Sequence, residues 1–126
     1  MPIVTLTVRK PKTAEFKSQA LRAVHHALIS IGVNEHDVFH RVLELSAEDF
    51  QFDASYPDAA TPRNEDFMLI EILLGVGRSV KVKRQFLQTL MTALVALGHD
   101  PEHVMVVFQD VPWENWSAAG GRMLHA

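Results

Sequence analysis

Cysteine is absent from this 126-residue sequence, which rules out disulfide bonds, thiolate nucleophiles and cysteine-based zinc sites. An excess of positive charge is also missing, since 12 lysine and arginine residues face 15 aspartate and glutamate residues, for a formal net charge of -3. Binding to nucleic acid or to an anionic membrane would need the opposite balance, so we expect neither partner. No uncharged apolar run approaches the length of a membrane span.

The first residues lack the charged leader and apolar helical stretch of a secretory signal. They alternate in strand fashion from position 2 and are rich in β-branched types. Together with the lack of cysteine, this predicts a cytoplasmic protein. A chain of this length that is 48% hydrophobic is expected to form one domain.

A strand, helix, strand order occurs twice along the chain. Strands are predicted over residues 2–8, 38–45, 67–74 and 104–108, and helices over residues 13–31 and 79–97. The two halves align without a gap at an offset of 66, which pairs Pro2 with Met68 and Gly32 with Gly98. The ungapped register favours an internal duplication over two unrelated βαβ units.

Each unit needs a parallel strand pair with a right-handed crossover. The prediction is an α/β (α+β) fold: a four-stranded mixed sheet with both helices on one face. One domain would comprise a βαβ unit over about 2–45, a loop over 46–66, a second unit over about 67–109 and a tail over 110–126. The strands at 68–74 and 104–108 are apolar at consecutive positions, which is typical of burial on both faces. We therefore expect partner subunits, or the remaining segments, to cover the second face.

Two stretches lie outside the repeat. Residues 46–66 are acidic and are expected to form a surface loop anchored by Phe50, Phe52 and Tyr56. The tail contains Trp113 and Trp116, which are expected to pack on a neighbouring subunit or to close a pocket.

Pro2 is the most informative candidate for chemistry. Methionine before a small residue such as proline is normally removed, and the product would present a secondary amine at the start of a core strand. Burial or nearby charge can tune the pKa of such an amine for acid or base catalysis. The alternative is that the Met-Pro start has no function, and a retained Met1 would leave this nitrogen as an amide.

Three charged residues are candidates for the same site. Arg78 follows the third strand, where α/β proteins tend to bind ligands, and its planar guanidinium suits a carboxylate. Asp37 precedes the second strand and could orient water or substrate, although a turn aspartate needs no function. Arg41 lies within a strand, where it needs a ligand or a carboxylate across a subunit interface. The seven histidines form no metal site by their spacing, and we interpret them as surface or interface residues.

Together, the strand-initial proline, the duplication and the arginine after the third strand resemble the tautomerase superfamily. Within it, the length and the segments are similar to the malonate semialdehyde decarboxylase group rather than to the half-length 4-oxalocrotonate tautomerases. The residues that carry this resemblance are Pro2, Asp37 with 38–42, Arg78 with 75–77, and the tail segments 115–117 and 120–122.

The resemblance implies a homotrimer that needs no cofactor or metal and has Pro2 in a pocket near a subunit boundary. Pro2 would transfer the proton, Arg78 would hold a small carboxylate substrate, Asp37 would bind or activate water, and Trp116 would form a pocket wall. The decarboxylase pattern has a second arginine at the strand exit, where this chain has Val76. A second cation would then have to come from Arg41 or Arg9.

Three functions remain open, and the missing second arginine favours the first of them. The first is a tautomerase (isomerase) of a small 2-oxo or enol carboxylic acid. The second is a decarboxylase or hydratase of a 3-oxo acid such as malonate semialdehyde. The third is a non-catalytic binding module on the same fold.

Overall fold

The computed structural model describes residues 1–124, and the last two residues of the predicted tail lie outside this range. Four strands and two helices follow one another as β1 (Pro2–Arg9), α1 (Ala14–Ser30), β2 (His40–Leu45), β3 (Met68–Gly75), α2 (Val80–Ala96) and β4 (Val104–Val111). Short 3₁₀ turns, Pro101–His103 and Trp113–Asn115, precede and follow β4. No helix of the described residues is long and apolar enough to cross a membrane.

The four strands form one mixed sheet in the order β2-β1-β3-β4. The pairs β1–β2 and β3–β4 are parallel, and the central pair β1–β3 is antiparallel. Alternate residues of β1 and β3 point to the two helices and form the core, which includes Leu6, Ile70 and Phe86. The predicted fold, with both helices on one face of a four-stranded mixed sheet, is confirmed.

The internal repeat is visible in the helix caps. Thr13 and Ser79, 66 positions apart, each accept a hydrogen bond from the backbone N–H three residues later. Each helix then spans 17 residues, and each is followed by a glycine in the left-handed region, Gly32 at φ 98° and Gly98 at φ 93°. The predicted offset of 66 therefore relates β1 to β3 and α1 to α2 at both ends of each element.

Two predicted strand boundaries are wrong. β2 begins at His40 rather than at position 38, because the Val38 N–H bonds back to the His36 carbonyl in a tight turn. β4 continues to Val111, three residues beyond Phe108, because it pairs with β3 as far as Gly75. The C-terminal tail therefore starts later than position 110.

The loop over 46–66 covers one end of the helix-free face. Phe50 and Phe52 pack against each other and against Phe67, with ring centroids 4.5–5.9 Å apart. Arg9 fastens this cluster to β1, since its guanidinium lies 4.1 Å from the Phe52 ring centroid and donates to the Phe50 carbonyl. The expectation that Tyr56 is an anchor is wrong, because 77% of that residue is exposed.

The rest of the helix-free face is only partly covered within one chain. Leu43 on β2 and Val107 on β4 face away from the helices and are 43% and 46% exposed. Single exposed apolar residues are common on protein surfaces, but these belong to one sheet face. This face is the surface for which the sequence predicted a partner subunit.

Candidate active site

One edge of the sheet collects four of the five predicted site residues. Because β1 is antiparallel to β3, the starts of β1 and β2 lie at the same edge as the ends of β3 and β4. Pro2 opens β1, and Asp37 lies in the turn before β2. Arg78 follows β3, and Trp116 follows β4.

Pro2 is buried at the first position of β1, opposite Leu74. Its nitrogen is an amide in the described chain because Met1 precedes it. The Met1 amine lies 3.5 Å from Asp37 Oδ2, and the Met1 carbonyl accepts a hydrogen bond from the Gly75 N–H at 3.3 Å. Consecutive backbone nitrogens are at most about 3.6 Å apart, so the Pro2 nitrogen lies within about 7 Å of this carboxylate.

Asp37 is held by its own turn. Its backbone N–H donates to the Asn34 carbonyl at 3.0 Å, and only 16% of its side chain is exposed. The Oδ2 oxygen faces the chain start, whereas the buried Oδ1 oxygen has no hydrogen-bond partner within residues 1–124. The carboxylate can therefore interact with an amine at the chain start and accept one further hydrogen bond.

Arg78 is half-buried between the end of β3 and the start of α2. It follows Gly77, whose φ of 124° turns the chain away from the sheet. No hydrogen bond or ion pair of the described residues engages its guanidinium. Next to the N-terminus of α2, this cation is suitably placed to bind a carboxylate ligand.

The two tryptophans lie at the same edge in different roles. Trp116 is buried, and its indole N–H donates to the Val111 carbonyl at 3.2 Å, which folds the tail back onto β4. Trp113 lies over Gly75, so closely that a Cβ at that glycine would be 2.5 Å from the indole ring. Trp113 thus covers the peptide that binds the Met1 carbonyl. The sequence had pointed to Trp116 as the pocket wall.

Arg41 is not brought to this edge within one chain. It pairs with Thr5, three residues along β1 from Pro2, and its Nε donates to Thr5 Oγ1 at 2.8 Å. Position 5 alternates with the core residues Val4 and Leu6, so this contact lies on the helix-free face, about 10 Å along the strand from Pro2.

Two histidines next to Asp37 were missed as site residues. His40, the first residue of β2, and His25 of α1 have ring centroids 5.3 Å apart at 66°. Both residues are half-buried, but His40 Nε2 and His25 Nδ1 are buried and unpartnered in the described part of the chain. Burial lowers the pKa of His40, and His25 lowers it further, while Asp37 acts in the opposite direction.

Comparison with known proteins decides the family. A family model described as a tautomerase enzyme matches residues 37–119, about two thirds of the chain. The chain belongs to the tautomerase superfamily. A search among curated proteins gives no match.

Solved structures with the same fold include two of malonate semialdehyde decarboxylase. One, inhibited by 3-bromopropiolate, is 16% identical, with a TM-score of 0.86 over 96% of this chain and 92% of that chain. The second is 21% identical, with a TM-score of 0.86 over 96% and 93%. A fused 4-OT symmetric trimer is 26% identical, with a TM-score of 0.76 over 96% and 94%. At such identities, these structures establish the tautomerase fold and leave the activity open.

Proposed function

We propose that this tautomerase-superfamily chain is an isomerase of a small 2-oxo or enol carboxylic acid, and that the amine of Pro2 transfers the proton after removal of Met1. One observation carries the proposal: a strand-initial proline and a half-buried arginine without a partner in residues 1–124 share one edge of the sheet. An amine and a carboxylate-binding group are the two parts that such a proton transfer needs.

In the proposed reaction, the substrate carboxylate binds to the Arg78 guanidinium. The neutral Pro2 amine removes the proton from the enol oxygen and returns a proton to the adjacent carbon, which gives the keto acid with no other change in atoms. Arg78 also stabilises negative charge that develops on the substrate. Trp113 and Trp116 would limit the access of water to this edge of the sheet.

The second candidate is decarboxylation or hydration of a 3-oxo acid, and a specific contact favours it. The Asp37 carboxylate is 3.5 Å from the Met1 amine, which leaves it within about 7 Å of the Pro2 nitrogen, and a carboxylate on this side would favour the cationic form of the freed Pro2 amine. A cationic amine polarises a carbonyl, so that the C–C bond breaks, CO₂ leaves and the enolate is then protonated. Two of the similar structures are malonate semialdehyde decarboxylases, and one of these is described with decarboxylase and hydratase activities and a proline-to-alanine mutant.

The proposed working form is a homotrimer. The exposed apolar residues of the helix-free face support it, as does the trimeric assembly of the similar fused 4-OT. In such an assembly, Arg41 could approach the site of a neighbouring subunit. Light scattering on the purified protein tests this, since a monomer of 14.2 kDa in solution would contradict it.

The test of the activity combines intact mass with a ketonisation assay on phenylenolpyruvate. We expect a mass without Met1, and a kcat/KM that falls at least about 100-fold in Pro2→Ala and about 10-fold or more in Arg78→Ala. Arg84→Ala is the matched control, because Arg84 is an exposed arginine of α2. A retained Met1, or a Pro2→Ala variant as active as the wild type, would exclude Pro2 as the catalyst.

The same samples separate the two candidate reactions. A ¹⁵N titration of the Pro2 nitrogen shows whether the amine is neutral or cationic at pH 7. A neutral amine with ketonisation supports the isomerase. A cationic amine with release of CO₂ from malonate semialdehyde supports the decarboxylase.

A further inference from the structure

Three polar atoms behind the start of the chain lack a hydrogen-bond partner in the described residues: His25 Nδ1, Asp37 Oδ1 and His40 Nε2. All three are buried, although buried polar atoms are as a rule hydrogen-bonded. The His25 and His40 rings are in contact, and the charge of Asp37 acts on His40. The three side chains therefore form one polar cluster.

The hydrogen-bonding roles of the cluster can be worked out from its surroundings. His25 Nε2 lies 2.9 Å from the Glu35 carbonyl, which can only accept, so Nε2 carries the proton. In the neutral imidazole, His25 Nδ1 is then an acceptor, as is the Asp37 Oδ1 oxygen. His40 Nε2–H would supply the donor. No direct hydrogen bond joins His40 and Asp37, so a bridging water would be needed for one to satisfy the other.

We propose that His40 is a positioning residue: through one bound water, its Nε2–H holds Asp37 Oδ1, so that Oδ2 stays directed at the start of β1, where removal of Met1 would leave the Pro2 amine. The water accepts from His40 and donates to Asp37 Oδ1 and His25 Nδ1. It thus has three partners, the usual number for a buried water. The arrangement satisfies all three buried atoms at once.

The charged and titratable groups around His40 are consistent with a neutral donor. His25 faces it from α1, Asp37 from the turn before β2, and the Met1 amine lies 3.5 Å from Asp37 Oδ2. A neutral His40 leaves the Asp37 carboxylate as the counter-charge of the amine. The catalytic meaning of this arrangement rests on the second candidate of the proposed function, in which Met1 is removed and the Pro2 amine, within about 7 Å of the carboxylate, works as a cation.

The test is the titration of the N-terminal amine, followed by ¹⁵N NMR without substrate in the wild type, His40→Gln and His40→Met. Glutamine keeps an N–H donor but does not titrate, whereas methionine keeps the volume without a donor. We expect the midpoint to stay at the wild-type value in His40→Gln and to fall by about half a pH unit or more in His40→Met. The fall would reflect a carboxylate no longer held towards the ammonium. An unchanged midpoint in His40→Met, or equal shifts in both variants, would overturn the proposal.

A second measurement does not depend on the folding of a variant. A crystal structure of the wild type at about 1.8 Å resolution must show an ordered water within about 3.2 Å of both His40 Nε2 and Asp37 Oδ1. Its absence would also overturn the proposal. Both measurements are made without substrate, so an inactive wild type would refute the proposed function alone. An active wild type without this water would refute only the role of His40.

Discussion

The indole of Trp113 lies over Gly75 at a distance that leaves no room for a side chain, since a Cβ at position 75 would be 2.5 Å from Cη2 and 2.6 Å from Cζ2. Gly75 also donates its backbone N–H to the Met1 carbonyl. The contact therefore joins the tail after β4 to the peptide beside Pro2. It makes the tryptophan of the tail part of the candidate site.

Replacing Gly75 by alanine is expected to displace the Trp113 ring and to lower the free energy of unfolding by about 1–3 kcal/mol, the usual range for overpacking. Urea unfolding followed by circular dichroism measures this. The double variant Gly75→Ala/Trp113→Ala is the control. If the ring causes the clash, the alanine at position 75 should cost little once the ring is gone, and full additivity would contradict this explanation.

The two helix caps allow a matched test of the internal repeat. Thr13 and Ser79 make the same N-cap hydrogen bond 66 residues apart, so Thr13→Ala and Ser79→Ala should each reduce stability by about 1 kcal/mol. Thr13→Ser and Ser79→Thr keep the capping oxygen and should stay near the wild-type value. Thermal and urea unfolding of the four variants measure the effects. A large loss in only one half would show that the two caps are not equivalent in energy.

The sequence alone predicts the helices and strands, but it does not predict some of the contacts between distant residues. The Thr13 cap and the apolar periodicity are local features, the offset of 66 is visible along the chain, and together they predict the two helices. The contact between Trp113 and Gly75 joins residues on different segments, and the glycine gives no sign of what lies above it. His25 and His40 likewise meet only because α1 packs on β2, which spacing along the chain does not reveal.

The stability of the folded protein should fall as the pH drops below 6.5, because burial lowers the pKa of His40 and His99 from that ordinary value. Between their lower pKa in the folded protein and 6.5, these histidines bind more protons in the unfolded chain than in the folded one. The free energy of unfolding therefore rises with pH in this range, and the contribution of the two histidines is fully present above pH 6.5. Both rings are only half-buried, so each should contribute less than about 1 kcal/mol per pH unit. Urea unfolding between pH 5 and 7 measures this slope.

The double variant His40→Gln/His99→Gln should flatten that slope, and His26→Gln, at an exposed position of α1, is the control. Hydrogen bonds lower the pKa of Glu44, Asp53 and Asp100 below ordinary values of 4.5, 3.8 and 3.8. The stability that these carboxylates contribute is lost only as the pH falls below their ordinary values. It therefore does not change the slope between pH 5 and 7 that the histidines cause. An equal slope in the double variant and the wild type would assign the pH dependence to other groups.

Val76 offers a direct test of the two candidate reactions. It lies two positions before Arg78, is 43% exposed, and stands where the resemblance to the decarboxylase group implies a first arginine. Val76→Arg would place a second guanidinium at the strand exit, able to bind the carboxylate of a 3-oxo acid while Arg78 or the Pro2 ammonium engages the carbonyl. We expect CO₂ release from malonate semialdehyde to rise about 10-fold or more in kcat/KM, equivalent to about 1.4 kcal/mol of transition-state stabilisation.

Val76→Met, of similar length and without charge, is the control. Equal rates in both variants would show that the missing arginine does not set the choice between isomerisation and decarboxylation.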